Sequence, residues 1–115
     1  MIFMKNTRSD AELDDFGRFS DPALLILVSL ADAAKHGYAM TEDIAELADV
    51  RLGPGTLYGA IARLESRGLI EPVVSEDRRN PYRLTASGEK ALRLRLKAIE
   101  TVARAARRRL SASEV

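Results

Sequence analysis

The chain has 115 residues, of which 46% are hydrophobic and 5% aromatic, so it can form one small domain with a modest core. It contains one histidine and no cysteine, which excludes disulfide bonds and thiolate metal sites. The longest apolar run, residues 23–31, is well short of the ~20 residues that span a bilayer, so we expect a cytoplasmic protein without a membrane partner.

The net charge of +1 is distributed unevenly along the chain. Residues 1–49 carry four Lys and Arg against ten Asp and Glu, a net −6, whereas residues 50–115 carry fourteen against seven, a net +7. A basic half of this kind is expected of a protein that binds nucleic acid.

Residues 1–20 form an N-terminal extension that combines phenylalanine with acidic residues. Two interpretations stand side by side. The extension is either an extra helix that packs Leu13, Phe16 and Phe19 on a dimer interface, or it is disordered.

The first predicted helix follows Asp21, which can cap it, and Pro22, which suits the first turn. Residues 23–31 are apolar nearly all round, which predicts a helix at the centre of a small fold. His36 and Gly37 are expected to end it, with His36 a loop residue at a helix C-terminus rather than a ligand or base.

A shorter amphipathic helix is predicted over residues 38–47. Met40, Ile44 and Leu47 fall on one face at helical spacing, so we expect all three to face the core.

The third predicted helix has signals at both ends. Gly53 can be its N-cap with Pro54 in the first position, and Gly68 supplies the left-handed residue that ends it. Leu57, Ile61 and Leu64, with Ala60 beside them, form the apolar stripe that packs inward.

The other face of this helix is small, hydroxylated or cationic, which suits a major groove about 12 Å wide. Its members are Thr56, Gly59, Arg63, Ser66 and Arg67. Alone, this pattern is equally typical of an ordinary surface helix.

A hairpin is predicted directly after the helix, because residues 69–75 and 82–85 are β-prone and residues 76–81 form a polar turn. A two-stranded ribbon after a recognition helix is a wing. Its tip carries Arg78, Arg79 and Asn80, which can contact phosphates or a minor groove, although Glu76 and Asp77 dilute the positive charge. A solvated loop is the alternative.

A long helix is predicted from Ala86 to about Leu110, with apolar residues at alternating spacings of four and three. The seam comprises Leu92, Leu96, Ile99, Ala103, Ala106 and Leu110. Such a helix is about 37 Å long, more than the preceding domain can cover, so a partner helix from a second chain is expected. A helix that folds back on its own domain is the alternative.

An ordered set of motifs resembles the PadR-like transcriptional regulators over about residues 22–110. These motifs are His36-Gly37-Tyr38, Pro54-Gly55-Thr56-Leu57-Tyr58, Arg63-Leu64-Glu65 followed by Gly68-Leu69-Ile70, and Tyr82-Arg83-Leu84-Thr85 with Gly88 beyond. The resemblance implies a homodimeric winged helix-turn-helix protein that binds a palindromic operator, usually as a repressor, with release by a small molecule in some members. The chain has no tryptophan, so an effector pocket built on a stacked indole is not available.

The resemblance also places Thr56, Tyr58 and Arg63 at the surface of the recognition helix, with the Tyr58 hydroxyl on a phosphate. The alternative for Tyr58 is a residue at the rim of the core.

The resulting prediction is a mostly α protein with a small β-hairpin. Residues 1–20 are the extension, 21–85 a winged helix-turn-helix domain, and 86–115 a dimerisation helix and tail. The expected partners are double-stranded DNA, a second copy, and an unidentified small-molecule effector. The predicted DNA contacts are Thr56, Tyr58, Gly59, Arg63, Arg67, Arg78, Arg79 and Asn80.

The residues argue against an enzyme, since there is no glycine-rich phosphate loop or plausible carboxylate pair, and no cofactor or metal is expected. The alternative function is a winged-helix module for protein interaction without specific DNA binding.

Overall fold

A computed structural model of the chain describes residues 8–10, 21–76 and 80–113. Within these residues it contains four helices and one two-stranded hairpin. They are α1 (Pro22–Ser29), α2 (Gly37–Ala48), α3 (Pro54–Ser66), β1 (Ile70–Pro72), β2 (Tyr82–Leu84) and α4 (Ala86–Ser113). The predicted fold class, mostly α with a small hairpin, is confirmed. Most of the N-terminal extension, with Leu13, Phe16 and Phe19, lies outside the described residues.

Helix α1 is the centre of the fold. The Asp21 carboxylate accepts a hydrogen bond from the Leu24 backbone N–H at 3.2 Å, and Pro22 occupies the first turn. Leu24 to Leu27 are all buried, and α1 contacts α2, α3 and α4. A helix that is apolar nearly all round therefore has most of its surface covered by its own chain, with Ala23 and Val28 only partly buried.

The predicted boundary between α1 and α2 is wrong. Helix α1 already ends at its C-cap Leu30, and His36 is the N-cap of α2, which begins at Gly37. The reason is the hairpin, because the Lys35 backbone pairs with Tyr82 through two N–H···O bonds of 3.0 Å. This pairing holds the chain extended before α2 and leaves residues 31–34 as a turn.

The core face of α2 is one residue shorter than predicted. Met40 and Ile44 have no exposed surface, but Leu47 is exposed. Ala48 and Val50 pack against the core at this end instead, and the chain reverses at Asp49, whose φ is 54°.

Helix α3 has both of its predicted ends. Gly53 is the N-cap, and Gly68 has a φ of 72°. The Leu69 N–H donates to the Leu64 carbonyl at 3.0 Å and the Gly68 N–H to the Glu65 carbonyl at 2.9 Å, the two bonds of a Schellman motif. The predicted stripe is confirmed, since Leu57, Ala60, Ile61 and Leu64 are buried.

The hairpin is antiparallel, with Ile70 opposite Leu84 and Pro72 opposite Tyr82. The Val73 N–H extends the pairing to the Pro81 carbonyl at 2.7 Å. Because Tyr82 also pairs with Lys35, the hairpin is joined to the turn before α2 as well as to α3.

Helix α4 begins at a tight junction with the end of α3. The Thr85 hydroxyl donates to the Gly68 carbonyl at 2.6 Å and accepts from the Gly88 N–H at 3.0 Å. A Cβ atom at Gly88 would overlap the Leu69 carbonyl oxygen, so only glycine fits there. The direction in which α4 leaves the rest of the fold is therefore set by backbone contact.

Helix α4 has 28 residues, a length of about 42 Å, and runs three residues beyond the predicted end. It contacts α1 and β2 with its first turns and then continues outward, so the molecule measures 62 × 27 × 20 Å. Among the helices of the described residues, none combines the length and apolar character needed to cross a membrane.

Candidate nucleic-acid interface

One face of helix α3 is exposed to the solvent. Thr56, Arg63 and Arg67 are exposed and Gly59 is half-buried, and together we call them the recognition face. A Cβ atom at Gly59 would meet only the Arg63 Nη1 atom, at 3.7 Å. The Arg63 guanidinium therefore lies close to Gly59. Gly59 itself has no side chain that would keep DNA at a distance.

Tyr58 is exposed along one side and packed along the other. Its side chain is 55% exposed, but its hydroxyl end packs on Gly37, where a Cβ atom would overlap it. The ring thus fixes the start of α2 against α3. Its contact with a phosphate remains a prediction.

The hairpin loop gives Asn80 a structural partner. The Asn80 Oδ1 atom accepts from the Ser75 backbone N–H at 3.2 Å and from the Ser75 hydroxyl at 3.3 Å. Its role on DNA stays a prediction, and Arg78 and Arg79 lie outside the described residues. On β2, the exposed Arg83 pairs with Glu71 at 3.0 Å.

Tyr82 connects the hairpin to α3. Burial, and then the proximity of Glu65 and Tyr58, raise the pKa of the Tyr82 phenol above its ordinary value of 10.0. The neutral phenol therefore lies between the hairpin and the recognition helix. Together with the Lys35 backbone pairing, this contact sets where the hairpin stands relative to α3.

A cleft of about 400 Å³ opens where α2 and α3 begin, and we call it the α2–α3 cleft. Its lining includes Gly37, Tyr38, Arg51, Gly53, Pro54 and Tyr58. Tyr38 is 74% exposed, and the Arg51 Nη2 atom lies 2.8 Å from the Glu42 Oε2 atom. Sequence reasoning missed Arg51 and Tyr38 as site residues, although Arg51 stands two residues before the N-cap of the recognition helix.

The family can now be identified by comparison. A family model described as "Transcriptional regulator PadR-like family" matches residues 26–94. The chain belongs to this family. The resemblance seen in the sequence motifs is thereby confirmed, and the PadR-like chain is a transcriptional regulator with a DNA-binding winged helix rather than an enzyme.

Relatives and solved structures agree with this assignment. The PadR-like chain is 38% identical over 84 residues to a transcriptional regulator of Mycobacterium tuberculosis, covering 70% of this chain and 78% of that one. It is 44% identical over 75 residues to a 37.1 kDa protein in transposon TN4556 of Streptomyces fradiae, covering 65% of this chain but only 22% of that protein. The crystal structure of a PadR family regulator from Clostridium difficile R20291 superposes with a TM-score of 0.68 and 26% identity, over 73% of this chain and 92% of that one.

The predicted seam on α4 of this PadR-like chain divides into two parts. Leu92 is only 6% exposed and belongs to the protomer's own core, so it is not available to a partner helix, and Ile99 packs against the same core. Leu96, Ala106 and Leu110 are exposed.

An apolar residue that the heptad pattern missed widens this surface. Val102 is exposed beside Ala106 and Leu110, with which it lines an open groove of about 490 Å³. The apolar surface that a partner could cover therefore runs from Leu96 to Leu110.

Within residues 8–10, 21–76 and 80–113, no three His, Cys, Asp or Glu side chains come together as metal ligands.

Proposed function

We propose that this PadR-like chain is a homodimeric repressor that binds a palindromic operator in a sequence-specific way. The observation that carries the proposal is the recognition face, a groove-sized helix surface with two arginines, a threonine and a glycine, standing beside the hairpin. Thr56, Gly59 and Arg63 would read base edges. Tyr58, Arg67, Arg78, Arg79 and Asn80 would contact the backbone and the minor groove.

The shape of α4 supports the proposed dimer. A helix that leaves its own fold with exposed Leu96, Val102 and Leu110 lowers its free energy by pairing with a second copy. Residues 86–115 would then be the dimerisation segment and residues 21–85 the DNA-binding domain. A two-fold dimer of this kind would place two α3 helices in successive major grooves about 34 Å apart, which requires an operator with matching symmetry.

A small-molecule effector would have room in a groove of about 670 Å³ between the turn after α1, strand β2 and α4. Leu30, Leu84, Leu92 and Leu96 line it together with the charged Arg83 and Glu89. A ligand bound there would contact both the base of the hairpin and α4. Binding would therefore change the angle between the recognition faces of the two subunits and release the operator.

The test is fluorescence anisotropy of the full chain on DNA from upstream of its own gene and on a scrambled duplex of equal length, each titrated with salt. Tight binding to the upstream duplex, with weak and strongly salt-dependent binding to the scrambled one, supports the proposal. Binding to neither duplex would contradict it and favour a protein-interaction module.

Dimer formation and repression are each tested by a measurement of their own. Light scattering should give twice the mass of the chain. Deleting the gene should raise transcription from a promoter that contains the bound operator, whereas a fall would identify an activator.

A further inference from the structure

Glu42 stands in an unusual position beside the α2–α3 cleft. Its carboxylate accepts a hydrogen bond from Arg51 at 2.8 Å, and both side chains are substantially exposed. Hydrogen bonds from Arg51 and then from Tyr38 lower the pKa of the Glu42 carboxyl below its ordinary value. The Glu42 carboxylate thus engages Arg51, which lines the cleft together with a second donor, Tyr38.

The same two donors suit a phosphodiester. A guanidinium and a phenol hydroxyl both donate to anionic oxygen, and arginine is a preferred phosphate ligand. The other two polar side chains of the cleft are already engaged, since the Thr41 hydroxyl donates to the Gly37 carbonyl at 3.1 Å and the Tyr58 hydroxyl end packs on Gly37. Arg51 and Tyr38 are therefore the side chains with which the cleft, next to Tyr58 and the start of α3, would meet DNA.

We propose that the α2–α3 cleft binds a phosphate of the DNA backbone through Arg51 and Tyr38, and that Glu42 takes the place of this phosphate on Arg51 in the free protein. The inference rests on the proposed function and deepens it. The DNA phosphate must displace the Glu42 carboxylate from Arg51 before it can bind there. It lowers affinity for every sequence alike, and so it keeps binding to random DNA weak while the recognition face supplies the preference for the operator.

The exchange is energetically accessible. An exposed ion pair such as Arg51–Glu42 contributes little to stability, so giving it up costs little. Glu42 nevertheless remains within a few ångströms of the incoming phosphate, well inside the Debye length of about 10 Å at 0.1 M salt, and repels it.

The experiment compares wild type, Glu42→Gln and Glu46→Gln as full chains, on the upstream duplex and on the scrambled duplex, across a range of KCl concentrations. Glu46 is the matched control, because it lies one turn further along α2, is exposed, and its replacement changes the net charge equally. We expect Glu42→Gln to tighten binding to both duplexes by the same factor, about twofold to fivefold per subunit. We also expect a steeper salt dependence, by about one counterion per subunit, and no change for Glu46→Gln.

Repeating the Glu42→Gln comparison in the Arg51→Ala variant separates two effects of Glu42. One is its competition with the phosphate for Arg51, and the other is simple repulsion of the phosphate by its charge. In Arg51→Ala the gain from Glu42→Gln should shrink, because the arginine that Glu42 releases is no longer present. An undiminished gain there, or the same gain from Glu46→Gln, would overturn the proposal.

Two further results distinguish a DNA phosphate from a free phosphate ion, and failure of this inference from failure of the proposed function. Potassium phosphate in place of chloride at constant ionic strength should leave binding unchanged, and competition by it would assign the cleft to a free anion instead. If wild type prefers the upstream duplex but Glu42→Gln has no effect, only this inference fails. If wild type binds neither duplex, the proposed function fails with it.

Discussion

The first three helices with the hairpin, which we call the body, differ from the outer part of α4 in how their apolar surface is covered. In the body, most of α1 is buried and each helix end has a defined cap or turn. Beyond Leu92, α4 has apolar side chains exposed along about two thirds of its length. The core of the body, together with Leu92 from the start of α4, is covered within a single copy, whereas the outer part of α4 presents a surface that a second copy would cover.

The largest effect is expected where that surface is made polar. Leu110→Arg would place two additional cations in a pair of helices that is already rich in arginine, and we expect the dimer to weaken by about 4 kcal/mol while the body stays folded. Light scattering over a dilution series measures the dissociation, and circular dichroism checks the fold.

Leu94→Arg is the matched control for this prediction. Leu94 is 60% exposed against 66% for Leu110, but it lies on the opposite side of α4 from the seam. The control should remain a dimer. If both variants dissociate equally, the seam is not specific and the weakening of the dimer is a general effect of the added charge.

The junction between the two regions should be the next most sensitive point. Gly88→Val would drive a side chain into the Leu69 carbonyl, so we expect a loss of about 3 kcal/mol in the free energy of unfolding. Urea denaturation measures it. Gly55→Ala serves as control because a Cβ atom there meets nothing within 4 Å, and it should be no less stable than wild type.

A smaller effect on stability but a clear effect on binding is expected from the recognition face. Arg63→Ala should cost about 1 to 3 kcal/mol of specific binding and relax the base preference, whereas Arg79→Ala should weaken binding to all sequences alike. Anisotropy on operator and scrambled DNA distinguishes the two. Equal losses on both duplexes for Arg63→Ala would remove its assignment as a base-reading residue.

The smallest expected effect is a change in how the stability of the protein depends on pH. Because the folded protein raises the pKa of Tyr82 above 10.0, this residue contributes stability that is fully present below pH 10 and is lost as the pH rises through the folded pKa. Tyr82→Phe should therefore lose less stability than wild type between about pH 9 and pH 11. Urea midpoints across this range provide the measurement, and identical profiles would contradict the packing described for Tyr82.

The sequence predicted the features of this fold that depend on neighbouring residues. The caps of α3 at Gly53 and Gly68 and its inward stripe were correct, because capping and helical periodicity are local. The boundary at His36 was wrong, since the Lys35 pairing with Tyr82 joins residues far apart in the chain. Leu92 was assigned to a partner for a similar reason, as the heptad pattern does not show which copy covers each position.

The candidate site follows the same division. Helical spacing alone predicted that Thr56, Gly59, Arg63 and Arg67 lie on the outward face, as the structure shows, whereas their contacts with DNA stay a prediction. The association of Arg51, Tyr38 and Glu42 was missed, because it depends on how the loop before α3 folds back on α2.

By itself, the sequence determined the family, the element types and the residues of the recognition face, because these depend on motifs and spacings along one stretch of chain. Only the tertiary structure decided where α1 stops, which part of α4 belongs to the core, and that the hairpin is held by Lys35 and Tyr82. These features arise from contacts between residues distant in sequence, and such contacts form only when the chain closes on itself.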